Sequence, residues 1–318
     1  MTLDKIVEKI REAESIAIFT HESPDGDAIG SVLAMKLALT KLGKKADVMV
    51  EGFPRIFRFL PAAGEVLEKW ENRVYDLAIS LDCADLKRLV GKEIFEEANS
   101  TIVIDHHGSN TMYGDLNFVN PVAPACAEVL IGMFDYFSIP IDADIGSCLL
   151  AGIITDTGGF QYSIVTAETF EFAAELLRKG VNVSDIYQKT LNTRTRPNFE
   201  LLKRTLSRME FLEEGKVTFT YITNQDLQEV GAESGDHDGL VEAGRDIEGV
   251  ELAIFIRQRE DDENAYKISM RSSSYINVSD LCYHFGGGGH PRAAGCLIQG
   301  TVEQVKEKIM QEVRKVLI

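Results

Sequence analysis

The chain has 318 residues, 45% of them apolar and 26% charged, which is the balance of a soluble globular protein long enough for two domains and not that of a disordered or membrane-embedded chain. Thirty-three basic against fifty acidic residues leave a net charge of −17. That excess argues against a protein that coats long nucleic acid through counterion release, yet a substrate of a few phosphates can still be held by metal ions and two or three basic groups.

No apolar run approaches the roughly 20 residues that span a bilayer, and residues 3–13 read as an amphipathic charged helix rather than a signal peptide, so no membrane partner and a cytoplasmic location are expected. Five cysteines, with no C-x-x-C pair, indicate neither a disulfide framework nor a thiolate zinc site and are read as small apolar fillers. The apolar stretch 15–20 reads as a strand, and it runs into His-Glu-Ser-Pro-Asp-Gly-Asp-Ala-Ile-Gly-Ser, from His21 to Ser31. One imidazole and two carboxylates lie within seven residues there. Pro24 fixes one backbone angle and Gly26 frees another, so His21, Asp25 and Asp27 can be aimed at one small volume. Without a cation such groups repel or protonate, and a divalent metal resolves this; a solvated turn with a helix cap is the alternative for the stretch taken alone.

A helix over about 28–42 and a strand over 45–50 follow. Strand 75–81 ends at Asp82, and strand 101–104 ends at Asp105, His106 and His107. Polar groups at the C-terminal ends of three strands mark the ligand edge of an open, mostly parallel α/β sheet flanked by helices. From 125 to 177 the patterning is helical, and one helix stops at Asp156 before Gly158 and Gly159. Phe160 and Tyr162, just beyond, can stack a base or pack in the core. A basic stretch near 192–208 marks a boundary, giving expected domains 1–190 and 211–318 joined by a linker at 191–210.

The second domain alternates strands (216–223, 250–258, 266–273, 296–298) with helices (240–247, 278–285, 302–316) and is a smaller α/β unit. The five residues from Gly235 to Gly239 read as a solvated loop. In Gly286-Gly287-Gly288-Gly289-His290, four glycines expose backbone N–H groups that can wrap a phosphate, and His290 adds a donor.

Eight residues from four places are thus candidates for one site: His21, Asp25, Asp27, Asp82, Asp105, His106, His107 and Asp156. Their order and spacing resemble the DHH-superfamily phosphoesterases. His-x-x-x-Asp-x-Asp-x-x-Gly-Ser, the Asp82 strand end, the Asp105-His106-His107 triplet and Asp156 in Asp-Thr-Gly-Gly-Phe match four motifs of that family in order. Gly-Gly-Gly-Gly-His-x-x-Ala-Ala-Gly matches the associated DHHA1 substrate-binding domain. The resemblance covers essentially the whole chain and is strongest to the bacterial type that cleaves short oligoribonucleotides and dephosphorylates 3′-phosphoadenosine 5′-phosphate.

That resemblance implies two manganese ions, with magnesium or cobalt as substitutes. One ion would take His21, Asp25 and Asp82; the other would take Asp27, Asp82, His106 and Asp156. Asp105 would orient a ligand imidazole, and His107 would face the scissile phosphate as hydrogen-bond donor or general acid. Arg271, with Gly287, Gly288, Gly289 and His290, would hold the substrate, and the active site would lie in a cleft between the domains. The implied substrates are short RNA oligonucleotides and nucleotides, with a homodimer left open. Rival readings are a linear or cyclic dinucleotide phosphodiesterase, a manganese-class pyrophosphatase, which expects a lysine- and arginine-rich motif that is missing here, and a metal-stabilised nucleotide- or RNA-binding module without turnover.

Overall fold

The computed structural model describes residues 2–233 and 235–317, and the chain divides after Thr193 into two units. In the first, α1 (Thr2–Glu12), β1 (Ile16–Phe19), α2 (Gly26–Lys41), β2 (Ala46–Met49), β3 (Leu77–Leu81), α3 (Lys92–Glu97), β4 (Thr101–Asp105) and β5 (Leu116–Val119) precede four helices. These are α4 (Cys126–Tyr136), α5 (Ala143–Asp156), α6 (Ala167–Arg178) and α7 (Val183–Tyr187). The strands form one parallel sheet in the order β2-β1-β3-β4-β5. Every residue of β1, β3 and β4 is buried, as expected of parallel strands covered on both faces.

Helices α2 and α5 lie against each other at unusually short range. A Cβ on Gly30 would stand 2.4 Å from the Cys148 carbonyl oxygen of α5, and one on Gly152 would stand 2.5 Å from an Asp27 carboxylate oxygen. Only glycine permits that approach, and through it Asp27 near the start of α2 and Asp156 at the end of α5 reach one place.

The second unit contains α8 (Arg196–Ser207), β6 (Glu210–Leu212), β7 (Val217–Ile222), α9 (Asn224–Val230), α10 (Glu242–Arg245), β8 (Leu252–Gln258), β9 (Ala265–Ser272), α11 (Val278–Tyr283), β10 (Gly288–His290), β11 (Ala293–Gln299) and α12 (Val302–Val316). Its sheet runs β10-β11-β9-β8-β7-β6, antiparallel except for β7 against β8. One face buries Ile254, Ile268 and Met270 among apolar residues of α11 and α12; the other buries Ala253 and Phe255 with Leu201 of α8 and Leu240.

Several details differ from the sequence reading. The charged helical stretch expected after the 192–197 run is α8, but it packs into the second unit, with Leu201 wholly buried. Strand β5 and helices α3 and α9 were not anticipated, and the helix expected over 240–247 is the single turn α10. All five cysteines are buried and free. Among the described residues no helix is long and apolar enough to cross a membrane.

Candidate metal centre

Because β1, β3 and β4 are neighbours and parallel, the chain leaving them carries His21, Asp82 and the Asp105–His107 triplet to one edge of the sheet. The N-terminus of α2 and the C-terminus of α5 add Asp25, Asp27 and Asp156. All eight candidates of the first unit therefore meet. Three donor groups have ligand atoms within 4.8 Å of one another: His21, Asp25 and Asp82; Asp27, His106 and Asp156; and Asp82, Asp105, His106 and His107.

Each side chain is held by a traceable contact. Asp25 caps α2, its carboxylate accepting from the amides of Asp27 and Ala28, so the helix-cap reading of this turn describes Asp25 even as it joins the cluster. Asp27 is fully buried and accepts from the amides of Cys126 and Ala127 at the start of α4 and, at 3.4 Å, from the Ser31 hydroxyl. His21 Nδ1 lies 2.8 Å from the Glu22 carbonyl oxygen and His106 Nδ1 lies 3.1 Å from that of Ala123. A carbonyl only accepts, so both rings carry a proton on Nδ1 and turn Nε2 toward the carboxylates, the arrangement metal-ligating histidines adopt. His106 Nε2 stands 3.4 Å from Asp82 Oδ1, 3.3 Å from Asp156 Oδ2 and 3.9 Å from Asp27 Oδ2; His21 Nε2 stands 3.9 Å from Asp82 Oδ2.

Asp105 orients one imidazole of the triplet. It accepts from Nδ1 of His107 at 2.8 Å, from the amides of His106 and His107, and from Asn110 at 2.6 Å. The ring it orients is His107, whereas that of the candidate ligand His106 is oriented by the Ala123 carbonyl.

The electrostatics describe a site built for cations. Burial, then the charge of Asp82, pushes the Asp27 carboxyl up to about 8. Asp156 is driven well above the usual range by burial and then by Asp27 and Asp25. For Asp82, burial opposes ionisation, but the adjacent His106, then the charges of His107 and His21, outweigh it and hold the carboxyl low. For His106, burial opposes the charge, yet Asp82, Asp27 and Asp156 together push it up to about 11. Asp27 and Asp156 thus resist ionising beside the charge of Asp82. Asp156 also sits at the C-terminal end of a helix, where the backbone dipole disfavours an anion and favours a cation. Asp82 Oδ1 is buried with no hydrogen-bond partner, an orphaned acceptor that a divalent ion satisfies. Carboxylate oxygens mixed with imidazole nitrogens fit such an ion.

Ser31, Asn110 and the amides of Cys126 and Ala127 escape sequence reading, since each acts on another site residue rather than at the end of a strand. Glu128 escapes it too; it is buried on α4 and one of its oxygens has no hydrogen-bond partner.

The second-unit candidates lie on its sheet. Arg271, on β9, donates through Nε to Glu242 at 2.9 Å and through Nη1 to the Met270 carbonyl. The glycine run is not a free phosphate loop. The amides of Gly286 and Gly287 donate to the carbonyls of Tyr283 and Cys282, closing α11, and Gly288 to His290 form the edge strand β10. The loop from Gly235 to Gly239 is anchored rather than loose: Asp236 is buried and accepts from Thr195 and the Glu233 amide.

Comparison with known proteins agrees with this layout. Residues 15–153 match the N-terminal domain of the DHH family and residues 214–318 match the DHHA1 domain. The chain is 34% identical, over 98% of its length and 93% of the relative, to a protein of Thermus thermophilus named bifunctional oligoribonuclease and PAP phosphatase NrnA. It is 25% identical over 98% of its length to the cyclic-di-AMP phosphodiesterase PdeA of Listeria monocytogenes, of which it covers 48%. A crystal structure of an exopolyphosphatase-related protein from Bacteroides fragilis superposes with a TM-score of 0.87 at 28% identity, covering 99% of this chain and 97% of that one.

Proposed function

The chain belongs to the DHH family, with a DHHA1 domain after the DHH domain, and from that membership we propose a two-manganese phosphoesterase that hydrolyses short oligoribonucleotides to mononucleotides and 3′-phosphoadenosine 5′-phosphate to AMP. The observation that carries this reading is the convergence of His21, Asp25, Asp27, His106 and Asp156 around the orphaned oxygen of Asp82. His21, Asp25 and Asp82 would hold one ion, and Asp27, Asp82, His106 and Asp156 the other, with magnesium or cobalt as weaker substitutes. Bound there, divalent ions supply an activated water and neutralise charge on the phosphate oxygens.

The chain's own groups do the rest. Asp105 fixes the proton of His107 on Nδ1. In the neutral ring Nε2 then accepts. Carboxylate neighbours raise the His107 pKa although burial opposes this, which favours a second proton on Nε2, and in that form the ring can donate to the phosphate or to the leaving oxygen. Arg271, pinned by Glu242 and Met270, directs its remaining N–H groups at a terminal phosphate, and Gly288, Gly289 and His290 complete that end. The proposed location is the cytoplasm.

The Listeria relative favours a second reading, hydrolysis of a cyclic or linear dinucleotide by the same machinery. Product analysis with manganese, magnesium and cobalt on end-labelled di- to pentaribonucleotides, a cyclic dinucleotide, 3′-phosphoadenosine 5′-phosphate and pyrophosphate separates the two. Mononucleotides from the linear panel and AMP from the bisphosphate are expected. Turnover of the cyclic dinucleotide alone overturns the main reading in favour of the second.

A further inference from the structure

Residues directly opposite in an antiparallel sheet point to the same face. On β9, Arg271 lies opposite Ala253 and Ala293, and Ala293 opposite His290; Ser269 lies opposite Phe255 and Gly295, and Gly295 opposite Gly288; Lys267 lies opposite Arg257 and Leu297. One face of the second sheet therefore has two cationic ends, Arg271 with His290 and Lys267 with Arg257. Between them β9, β11 and β10 present only Ser269, Ala293, Gly295 and Gly288. A Cβ on Gly288 would meet nothing within 4 Å, and its backbone is not left-handed, so neither strain nor packing calls for glycine there. Ser269, Ala293 and Gly295 are half-buried and Gly288 is exposed.

The far end brings two cations across one another. Like charges placed directly across two strands repel, and the Arg257 side chain is only 15% exposed. Its acidic neighbours are Glu260, 3.7 Å away on a side chain that is 80% exposed, and Asp238. Burial, then the charges of Arg257 and Lys267, push the His237 pKa down to about 3.

We propose that Arg257 and Lys267 form a second phosphate-binding point, which takes a later phosphodiester of an oligonucleotide whose terminal phosphate lies at Arg271. Four residues of one strand separate Arg271 from Lys267, about 13 Å at ~3.3 Å per residue. That is too long for the two phosphates of one nucleoside bisphosphate and suits a phosphate farther along a strand. The point accordingly selects by length, and it rests on the oligonucleotide reading above.

The test is equilibrium binding to the manganese-loaded full chain of hydrolysis-resistant phosphorothioate di- and pentaribonucleotides and of tetrapolyphosphate, at several salt concentrations. Lys267→Gln is expected to weaken pentanucleotide binding about five- to tenfold and to lower its log–log salt slope by about 0.7, with dinucleotide binding unchanged within about twofold. Arg257→Gln should act alike; because Arg257 is largely buried, the exposed Lys267 variant with an unchanged Tm is decisive. Unchanged pentanucleotide binding by that variant, or equal loss for both lengths, overturns the proposal. A loss confined to tetrapolyphosphate overturns it in favour of a polyphosphate site. Length-dependent binding without hydrolysis of any oligonucleotide by the wild type would overturn the functional reading and leave this second point standing.

Discussion

Asp82 leaves β3 with φ of +54°, a left-handed conformation that aspartate tolerates better than most residues, and that turn aims its carboxylate between His21 and His106. Asp82→Asn keeps the shape and removes the charge. The expected result, read by calorimetric metal titration and by kcat, is a drop of at least about a hundredfold in manganese affinity and turnover with an unchanged Tm. Asn110 bonds Asp105 and the Cys83 carbonyl, so Asn110→Ala should loosen His107 and lower kcat by about 10- to 100-fold with metal stoichiometry intact. The eight clustered residues were legible in the sequence because each stands at the end of a strand or helix, where a polar residue after an apolar run is conspicuous. Asn110 and Ser31 were not, because their work is to hold a neighbour, and nothing in spacing separates that from an ordinary polar residue.

At the scale of elements, the close pass of α2 and α5 is what joins Asp27 to Asp156. Gly30→Ala puts a methyl carbon against the Cys148 carbonyl, and the helices must part; a loss of about 1–3 kcal/mol is expected by urea denaturation, with activity falling further than stability because both carboxylates ride on the displaced helices. In the second unit Asp226 binds α8 to α9: it accepts from Arg204 and Arg208 and caps its own helix through Thr223. Asp226→Asn leaves two arginines without their carboxylate and should cost about 2–3 kcal/mol in chemical denaturation. The strands β1, β3 and β4 were readable as continuous apolar runs, but β5, half-exposed along its length, becomes a strand through pairing with the β4 edge. Strand β10 was hidden for the same reason. Four glycines carry no strand preference of their own, and β10 exists because β11 supplies its partner, with Gly289 at φ +147°.

For the whole molecule, two compact units and a large acidic excess set the response to pH. Burial works against the Asp226 charge, but the hydrogen bonds of Arg208, Thr223 and Arg204 hold its carboxyl below the ordinary value of about 3.9. A carboxyl lowered on folding contributes stability that is fully present above the unfolded pKa and is lost as pH falls toward the folded one. Thermal melts between pH 5 and 2 should show the wild type losing stability below about pH 4, with a shallower dependence in Asp226→Asn. The alternating α/β order and the division into two units follow from patterning that spans tens of residues. The pairing of Arg257 with Lys267 depends on register between distant strands and is invisible in the sequence. The central claim, that the clustered acids and histidines hold divalent ions that make the chain a phosphoesterase, is tested most directly by titrating manganese into chelator-stripped protein while following hydrolysis of a pentaribonucleotide. The account predicts two ions bound per chain and turnover that is negligible without metal and returns as the sites fill; equal turnover in the stripped protein would contradict it.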